Sequence, residues 1–222
     1  DPIPSRGLGD VYKRQDSRRA LTRCVAWIGY TPYLDYLDSI RRPDQVRIDS
    51  KLTFEKDRCE FALELAKEGV RVALISSGDS GIYGMAGLAL ELWLHEKIDS
   101  RPLFQVHPGI SSFQMAAAKL GAPFMHDFCS ISLSDLLTPW DQIERRIKSA
   151  AIGDFVIAIF NPKSIKRDWQ LKKTVDFLLE FRKPGTPVAI AREIGRPGES
   201  IEIHTLETLP FNKVDMLTIV VI

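Results

Sequence analysis

Arg71-Val72-Ala73-Leu74-Ile75-Ser76-Ser77-Gly78-Asp79-Ser80-Gly81-Ile82-Tyr83-Gly84-Met85-Ala86-Gly87 is the stretch on which the reading of the fold turns. A short apolar run ends abruptly at Ser-Ser-Gly-Asp-Ser-Gly, and apolar residues at helical spacing begin at once. The pattern predicts a strand over Val70–Ile75, a tight turn, and a helix over Ile82–Leu94 with Met85, Leu88, Ala89 and Leu92 turned inward. Such a helix start leaves backbone N–H groups able to hold a small anion. Glycines let the backbone approach that ligand closely. Asp79 adds a carboxylate at the same spot, so a zwitterion such as an amino-acid group would satisfy both. The spacing Gly78, Gly81, Gly84 is not the dinucleotide G-x-G-x-x-G, and the chain has no G-x-x-x-x-G-K-[ST] loop. Taken alone, the stretch leaves two readings open: a ligand loop, or only a tight connection.

The alternation spreads outward from this unit. Cys24–Gly29 reads as a short strand. Phe54 to Lys67 reads as a helix, with Phe61, Ala62, Leu65 and Ala66 at helical spacing and Gly69 as its stop. Leu103–Val106 is a strand, His107-Pro108-Gly109 a turn, and Ser111–Leu120 a helix closed by Gly121. Phe128–Leu133 follows as a strand. Thr138-Pro139-Trp140-Asp141 has the spacing of a capping box, with a helix running on to Ala151. Phe155–Phe160 is a buried strand and Trp169–Arg182 a helix stopped by Lys183-Pro184-Gly185. Pro187–Ala191, Ser200–His204 and Met216–Ile222 complete the strands. Alternating strands and helices predict an α/β protein with largely parallel sheets. Residues 1–15 show no periodicity and read as a disordered or non-native leader. Ala122-Pro123 followed by His126-Asp127 marks a boundary between an N-terminal α/β domain, 16–125, and a C-terminal α/β domain, 126–222.

At 222 residues the chain has room for one large or two small cores. Apolar residues make up 45% and charged residues 27%, values of a soluble globular protein. A net charge of +1 argues against a nucleic-acid surface. No apolar run approaches the ~20 residues of a membrane span, and no signal peptide is visible. Cys24, Cys59 and Cys129 are widely spaced and fit reduced cytoplasmic thiols. His95, His107, His126 and His204 show no metal-ligand spacing.

Five segments together resemble one family. They are Trp27-Ile28-Gly29-Tyr30-Thr31-Pro32-Tyr33-Leu34-Asp35; the Ser76–Gly87 loop; His107-Pro108-Gly109-Ile110-Ser111-Ser112; His126-Asp127-Phe128-Cys129-Ser130-Ile131-Ser132-Leu133-Ser134-Asp135 leading to Pro139-Trp140; and Phe160-Asn161-Pro162-Lys163-Ser164. The chain is similar from Cys24 to Ile222 to the precorrin-3B C(17)-methyltransferases and their cobalt-pathway counterparts, within the tetrapyrrole methylases. The resemblance implies two α/β domains with S-adenosylmethionine in the cleft between them, and a homodimer. It implies methylation of carbon 17 of a corrinoid precursor, coupled to ring contraction in cobalamin synthesis, with no metal required by the protein. Relatives open with a strand ending in a Gly-x-Gly-Pro-Gly loop that lines the cofactor site. No such loop precedes Cys24, and relatives continue Gly-Asn-Ser where this chain stops at Val220-Val221-Ile222. The expectation is a chain cut at both ends, with weak or absent cofactor affinity of its own.

By resemblance, Ser77, Gly78, Asp79 and Ile82 contact the methionine and ribose side of the cofactor. Ser111 and Ser112 add a hydroxyl or N–H at the next helix start, although alone they are ordinary N-cap residues. Phe160, Asn161 and Ala189 flank the adenosine. Methyl transfer from a sulfonium needs alignment and exclusion of water more than acid–base help. Ring contraction moves protons, and Asp79, His126, Asp127 and Asp135 are the candidate acids and bases. For His126 a capping role at the domain boundary stands equally open. Cys129 reads as a buried small hydrophobe rather than a nucleophile. The substrate carries many carboxylates, so Lys163, Lys166, Arg167, Arg192 and Arg196, on loops after strands, are the candidate partners. The plainer reading of these five is solvated loop charge. Two rivals remain: a tetrapyrrole methylase acting at another ring carbon, and a catalytically silent fragment.

Overall fold

The structure, a computed structural model, describes residues 15–164 and 167–222. The chain divides into two compact units, one up to Ser111 and one from Ser112. The Ala122-Pro123 segment lies inside the second unit, between its first helix and first strand. Residues 1–14 of the expected leader lie outside the described residues, and Gln15 begins a helix.

The first unit contains α1 (Gln15–Arg23), β1 (Ala26–Tyr30), α2 (Thr31–Asp35), β2 (Val46–Ser50), α3 (Glu55–Lys67), β3 (Val72–Ile75) and α4 (Ala86–His95). Its sheet has the order β2-β1-β3 and is parallel throughout, with Ala26 opposite both Val46 and Val72. Parallel neighbours need a crossover, and α3 supplies the one between β2 and β3. β1 is central and correspondingly apolar, and Trp27 and Leu34 are fully buried beside Leu37 and Ile75. Pro32 in the first turn of α2 lets that helix start directly off the strand. Gln45, 3% exposed, ties α1 to β1: its Nε2 donates to Leu21 O at 2.8 Å and Cys24 O at 2.6 Å. Its Oε1 accepts the Arg42 N–H at 2.9 Å. Gln45 thus satisfies the Cys24 carbonyl and joins the Cys24 N–H and the Trp27 indole N–H on the Leu21 carbonyl at the end of α1.

The second unit contains α5 (Ser112–Leu120), β4 (Phe128–Ser132), α6 (Trp140–Ile152), β5 (Val156–Phe160), α7 (Gln170–Leu179), β6 (Pro187–Arg192), β7 (Ser200–Thr205) and β8 (Thr218–Val221). The strand order is β4-β5-β8-β6-β7. β4 and β5 are parallel, whereas β8 is antiparallel to both β5 and β6, and β7 is antiparallel to β6. The expectation of largely parallel sheets therefore fails here: the short β6–β7 connection can only make an antiparallel pair, and this sheet is mixed. Ile143 and Ile147 of α6 and Leu171, Val175 and Leu178 of α7 pack on Ile157, Ile159, Val188 and Val220.

Four local expectations change. Leu103–Val106 forms no strand. It is held to α4 by Trp93 instead, whose Nε1 donates to Pro102 O at 2.7 Å and whose ring lies 5.9 Å from Phe104. α4 begins at Ala86, not Ile82, because the intervening residues form a wide turn. Thr138 caps nothing: the N-cap of α6 is Pro139, with no side-chain bond. β2 appears where no strand was expected, although Val46-Arg47-Ile48-Asp49 alternates.

The wide turn is closed from within. Ser76 Oγ accepts the Met85 N–H at 3.2 Å, and Ser80 O accepts the Ala86 N–H at 3.0 Å. Gly78 sits at φ +69°. A Cβ on Gly84 would stand 2.6 Å from Ser80 O and 2.8 Å from Ser80 Cα, so only glycine fits there. Gly84→Ala should push away the carbonyl that anchors Ala86 and lower stability by about 1–3 kcal/mol, a Tm loss of roughly 2–10 °C in a thermal melt. Gln45→Met keeps the volume but abandons three buried hydrogen bonds. It should lower the stability measured by urea unfolding by about 1–3 kcal/mol.

Candidate functional site

In the first unit the expected cofactor residues gather in the turn after β3. Asp79 organises it. Its Oδ1 accepts the Gly81 N–H at 2.8 Å and its Oδ2 accepts the Gly109 N–H at 3.0 Å. One carboxylate therefore clamps the turn to the His107-Pro108-Gly109 loop. Gly78 faces that second loop closely, since a Cβ there would lie 3.6 Å from Ser111 Cα. Ser111 is buried, at 2% exposure. Ser77 and Ile82 are half-buried on the same turn. The helix-start donors of Met85 and Ala86 are already used inside the turn, so a ligand here would be met by the loop backbone rather than by those two groups.

In the second unit the candidates collect at the carboxyl ends of β4, β5 and β6. β5 and β6 are each antiparallel to β8 and hence run the same way. Register makes them level: Ile159 and Ile190 both oppose Val220, which places Asn161 and Arg192 two strand spacings, roughly 10 Å, apart. Ser132 opposes Phe160. Asn161 follows at φ +49° and Glu193, after Arg192, at φ +48°. Non-glycine residues rarely take up this conformation, and it concentrates at ligand sites.

Hydrogen bonds lace the loop after β4 to the loop after β5. Asn161 Nδ2 donates to Ser132 Oγ at 2.9 Å, and the Ser134 N–H donates to the same oxygen at 3.2 Å. Arg167 Nη2 donates to Asn161 O at 3.0 Å. Gln170 Nε2 donates to Asp135 Oδ2 at 3.0 Å, and Arg167 Nη1 lies 4.0 Å from Asp135 Oδ1. Arg167 is buried, and that burial lowers its pKa from the ordinary value while Asp135 opposes the shift. Arg167 is thus a loop-holding cation rather than a solvated one. Lys163 Nζ donates to Phe211 O at 3.3 Å. Trp140 and Trp169 meet edge to face at 4.7 Å where α6 and α7 begin.

Other candidates occupy different surroundings. Lys166 lies outside the described residues. Arg192 Nε donates to Asp215 Oδ2 at 2.7 Å and its Nη1 lies 2.9 Å from Glu193 Oε1. Burial alone would raise the Asp215 carboxyl, but Arg192, Thr218 Oγ and the Leu217 N–H hold it below its usual range. Arg196 is half-buried in the β6–β7 connection. Ser112 is the first residue of α5, and Ala189 is buried within β6 opposite Ile203 and Val221. The Phe160 ring lies 6.1 Å from Phe113, which also packs on Phe124 and Phe128. His126 and Asp127 are exposed at the amino end of β4, whereas Asp135 follows its carboxyl end. The length of the strand, roughly 17 Å, separates them. Burial pushes the Cys129 thiol pKa up, away from the thiolate. Ser132 and Gln170 belong to the bonded network and were not singled out in the sequence. Ser132 lies within the quoted Ser-Ile-Ser-Leu-Ser run, but no pattern marks Gln170.

Among the described residues no group of His, Cys, Asp and Glu is placed to hold a metal ion, and no helix is long and apolar enough to cross a membrane. The chain is 45% identical over 203 residues, 91% of its length and 83% of the relative's, to the "Probable cobalt-factor III C(17)-methyltransferase" of Salmonella typhimurium. It is 39% identical to the precorrin-3B C(17)-methyltransferase of Sinorhizobium sp, covering 93% of this chain and 81% of that one. Among solved structures, the methyltransferase CobJ superposes with a TM-score of 0.88 at 34% identity, over 93% of this chain and 86% of that one. A uroporphyrin-III C-methyltransferase from Thermus thermophilus, solved with S-adenosyl homocysteine, shares the fold alone at 16% identity and a TM-score of 0.67, over 93% of this chain and 88% of that one. The tetrapyrrole (corrin/porphyrin) methylase pattern matches residues 16–210, and the chain belongs to that family.

Proposed function

We propose that this protein uses S-adenosylmethionine to methylate carbon 17 of precorrin-3B or its cobalt-containing counterpart, coupled to ring contraction in cobalamin synthesis. The observation that carries the reading is the Asp79-clamped turn beside Gly78, together with the close similarity to C(17)-methyltransferases. S-adenosylmethionine supplies an electrophilic methyl group when bound. The turn suits it: Gly78 leaves room for close approach, and backbone N–H groups suit a carboxylate. Asp79 uses one lone pair on each oxygen for the clamp and keeps others for an ammonium. The cofactor reading includes Ser77, Ile82, Ser111, Ser112, Phe160, Asn161 and Ala189. It also includes a cytoplasmic homodimer.

The chain's own task in methyl transfer is to fix donor and acceptor in line and to exclude water. For the proton movements of ring contraction, Asp135 has the best placement among the candidates. It lies at the carboxyl edge where α/β ligands gather, its carboxylate is oriented by Gln170, and it stays exposed. Asp79 is committed to its clamp, and His126 and Asp127 stand at the other end of β4. Lys163 supplies positive charge at the Asp135 edge for the substrate's carboxylates.

Incubation with S-adenosylmethionine and either precorrin-3B or its cobalt form should add one methyl mass on at least one substrate, with NMR placing it on carbon 17. Methylation at another carbon would assign a different member of the family, and no methylation with cofactor bound would refute the reading. Asp135→Asn should lower kcat for ring contraction by about 100-fold or more while leaving S-adenosylhomocysteine binding unchanged, as read by stopped-flow absorbance and calorimetry.

A further inference from the structure

The loop that follows β4 carries two leucines in a position no folding argument accounts for. Leu136 is 85% exposed and Leu137 is 97% exposed. Both leucines lie on a loop that is held at both ends. Asp135, immediately before them, is fixed by Gln170 at 3.0 Å. Ser132 and Ser134 are tied to each other and to Asn161. Trp140, just after them, is braced on Trp169 at 4.7 Å. The pair is therefore presented outward from anchored ends.

We propose that Leu136 and Leu137 form an apolar platform for one face of the tetrapyrrole macrocycle and set specificity for that substrate. This deepens the function proposed above and rests on it. The surroundings select the occupant. The platform sits at the carboxyl ends of the parallel strands β4 and β5, beside the loop that carries Lys163. A macrocycle with an apolar face and a rim of carboxylates matches leucines that directly follow Asp135 on an edge to which the Lys163 loop is also tied.

The test is a fluorescence titration of the full chain with uroporphyrin III, a planar polycarboxylate porphyrin, alongside methylation of precorrin-3B. In Leu136→Ala/Leu137→Ala the porphyrin Kd and the precorrin KM should each rise at least about tenfold, because an apolar contact is lost. S-adenosylhomocysteine affinity, Tm and elution volume should stay as in the parent, since both side chains are already in water. Leu136→Met/Leu137→Met should restore most of the binding. Unchanged Kd and KM in the alanine variant would overturn the platform while leaving the methyltransferase function intact. A shift from dimer to monomer in that variant would reassign the patch to self-association. A parent chain that neither binds the porphyrin nor methylates a precorrin would remove the function and the platform together.

Discussion

Parallel strands cannot be joined by a tight turn, and that constraint decides where this molecule keeps its loops. β1, β2 and β3 in the first unit, and β4 and β5 in the second, run parallel to their neighbours, with helices in the crossovers. Each crossover leaves from the carboxyl end of a strand, so the loops after β3, β4 and β5 emerge at the carboxyl edges of their sheets. β6 joins the same edge although its sequence neighbour β7 is antiparallel, because β8 is inserted between β5 and β6. Such loops cannot be held by strand pairing. Here a polar side chain binds two of them at once. Asp79 accepts N–H groups from the turn after β3 and from the 107–109 loop, and Ser132 Oγ accepts donors from both Asn161 and Ser134.

The alternation of elements was legible because amphipathic helices such as α6 and α7 carry their own periodicity. What misled was local. The apolar spacing of 82–94 reads as one helix, yet the Ser76 and Ser80 bonds hold 76–85 in a turn before α4 can begin. Leu103–Val106 has strand composition but takes its fixed position from Trp93, a contact that propensity does not encode. β2 is a short edge strand whose polar alternate positions hide it. Around the site, the sequence identified Asp79, Asn161 and Asp135 as residues worth attention. It did not say that Arg167 would be buried, nor that Gln170 would orient Asp135, because those facts depend on how α7 docks beside β5.

Packing quality is distributed unevenly in the second unit. Its centre is an aliphatic core in which Ile143, Ile147, Ile157, Ile159, Leu178 and Val220 are completely buried. Its carboxyl edge departs from good packing repeatedly. Asn161 and Glu193 adopt left-handed backbone, Arg167 Nε and Gln170 Oε1 are buried without hydrogen-bond partners, and Leu136 and Leu137 are in solvent. Each departure is unfavourable by about 1–3 kcal/mol or exposes apolar surface. The core offsets them.

The two units hold these features by different means. The turn in the first unit works through backbone groups and glycine geometry, which suits a small ligand with a fixed zwitterionic head. The edge of the second unit works through side chains, one carboxylate, a lysine and two leucines, which suits a larger ligand with mixed character. Methyl transfer places little demand on acid–base chemistry, because the reactive carbon arrives already activated. The demands of such a reaction therefore fall on position rather than on reactive groups. In the turn after β3 the constraint is carried by backbone, with Gly78 at φ +69° and Gly84 pressed against Ser80.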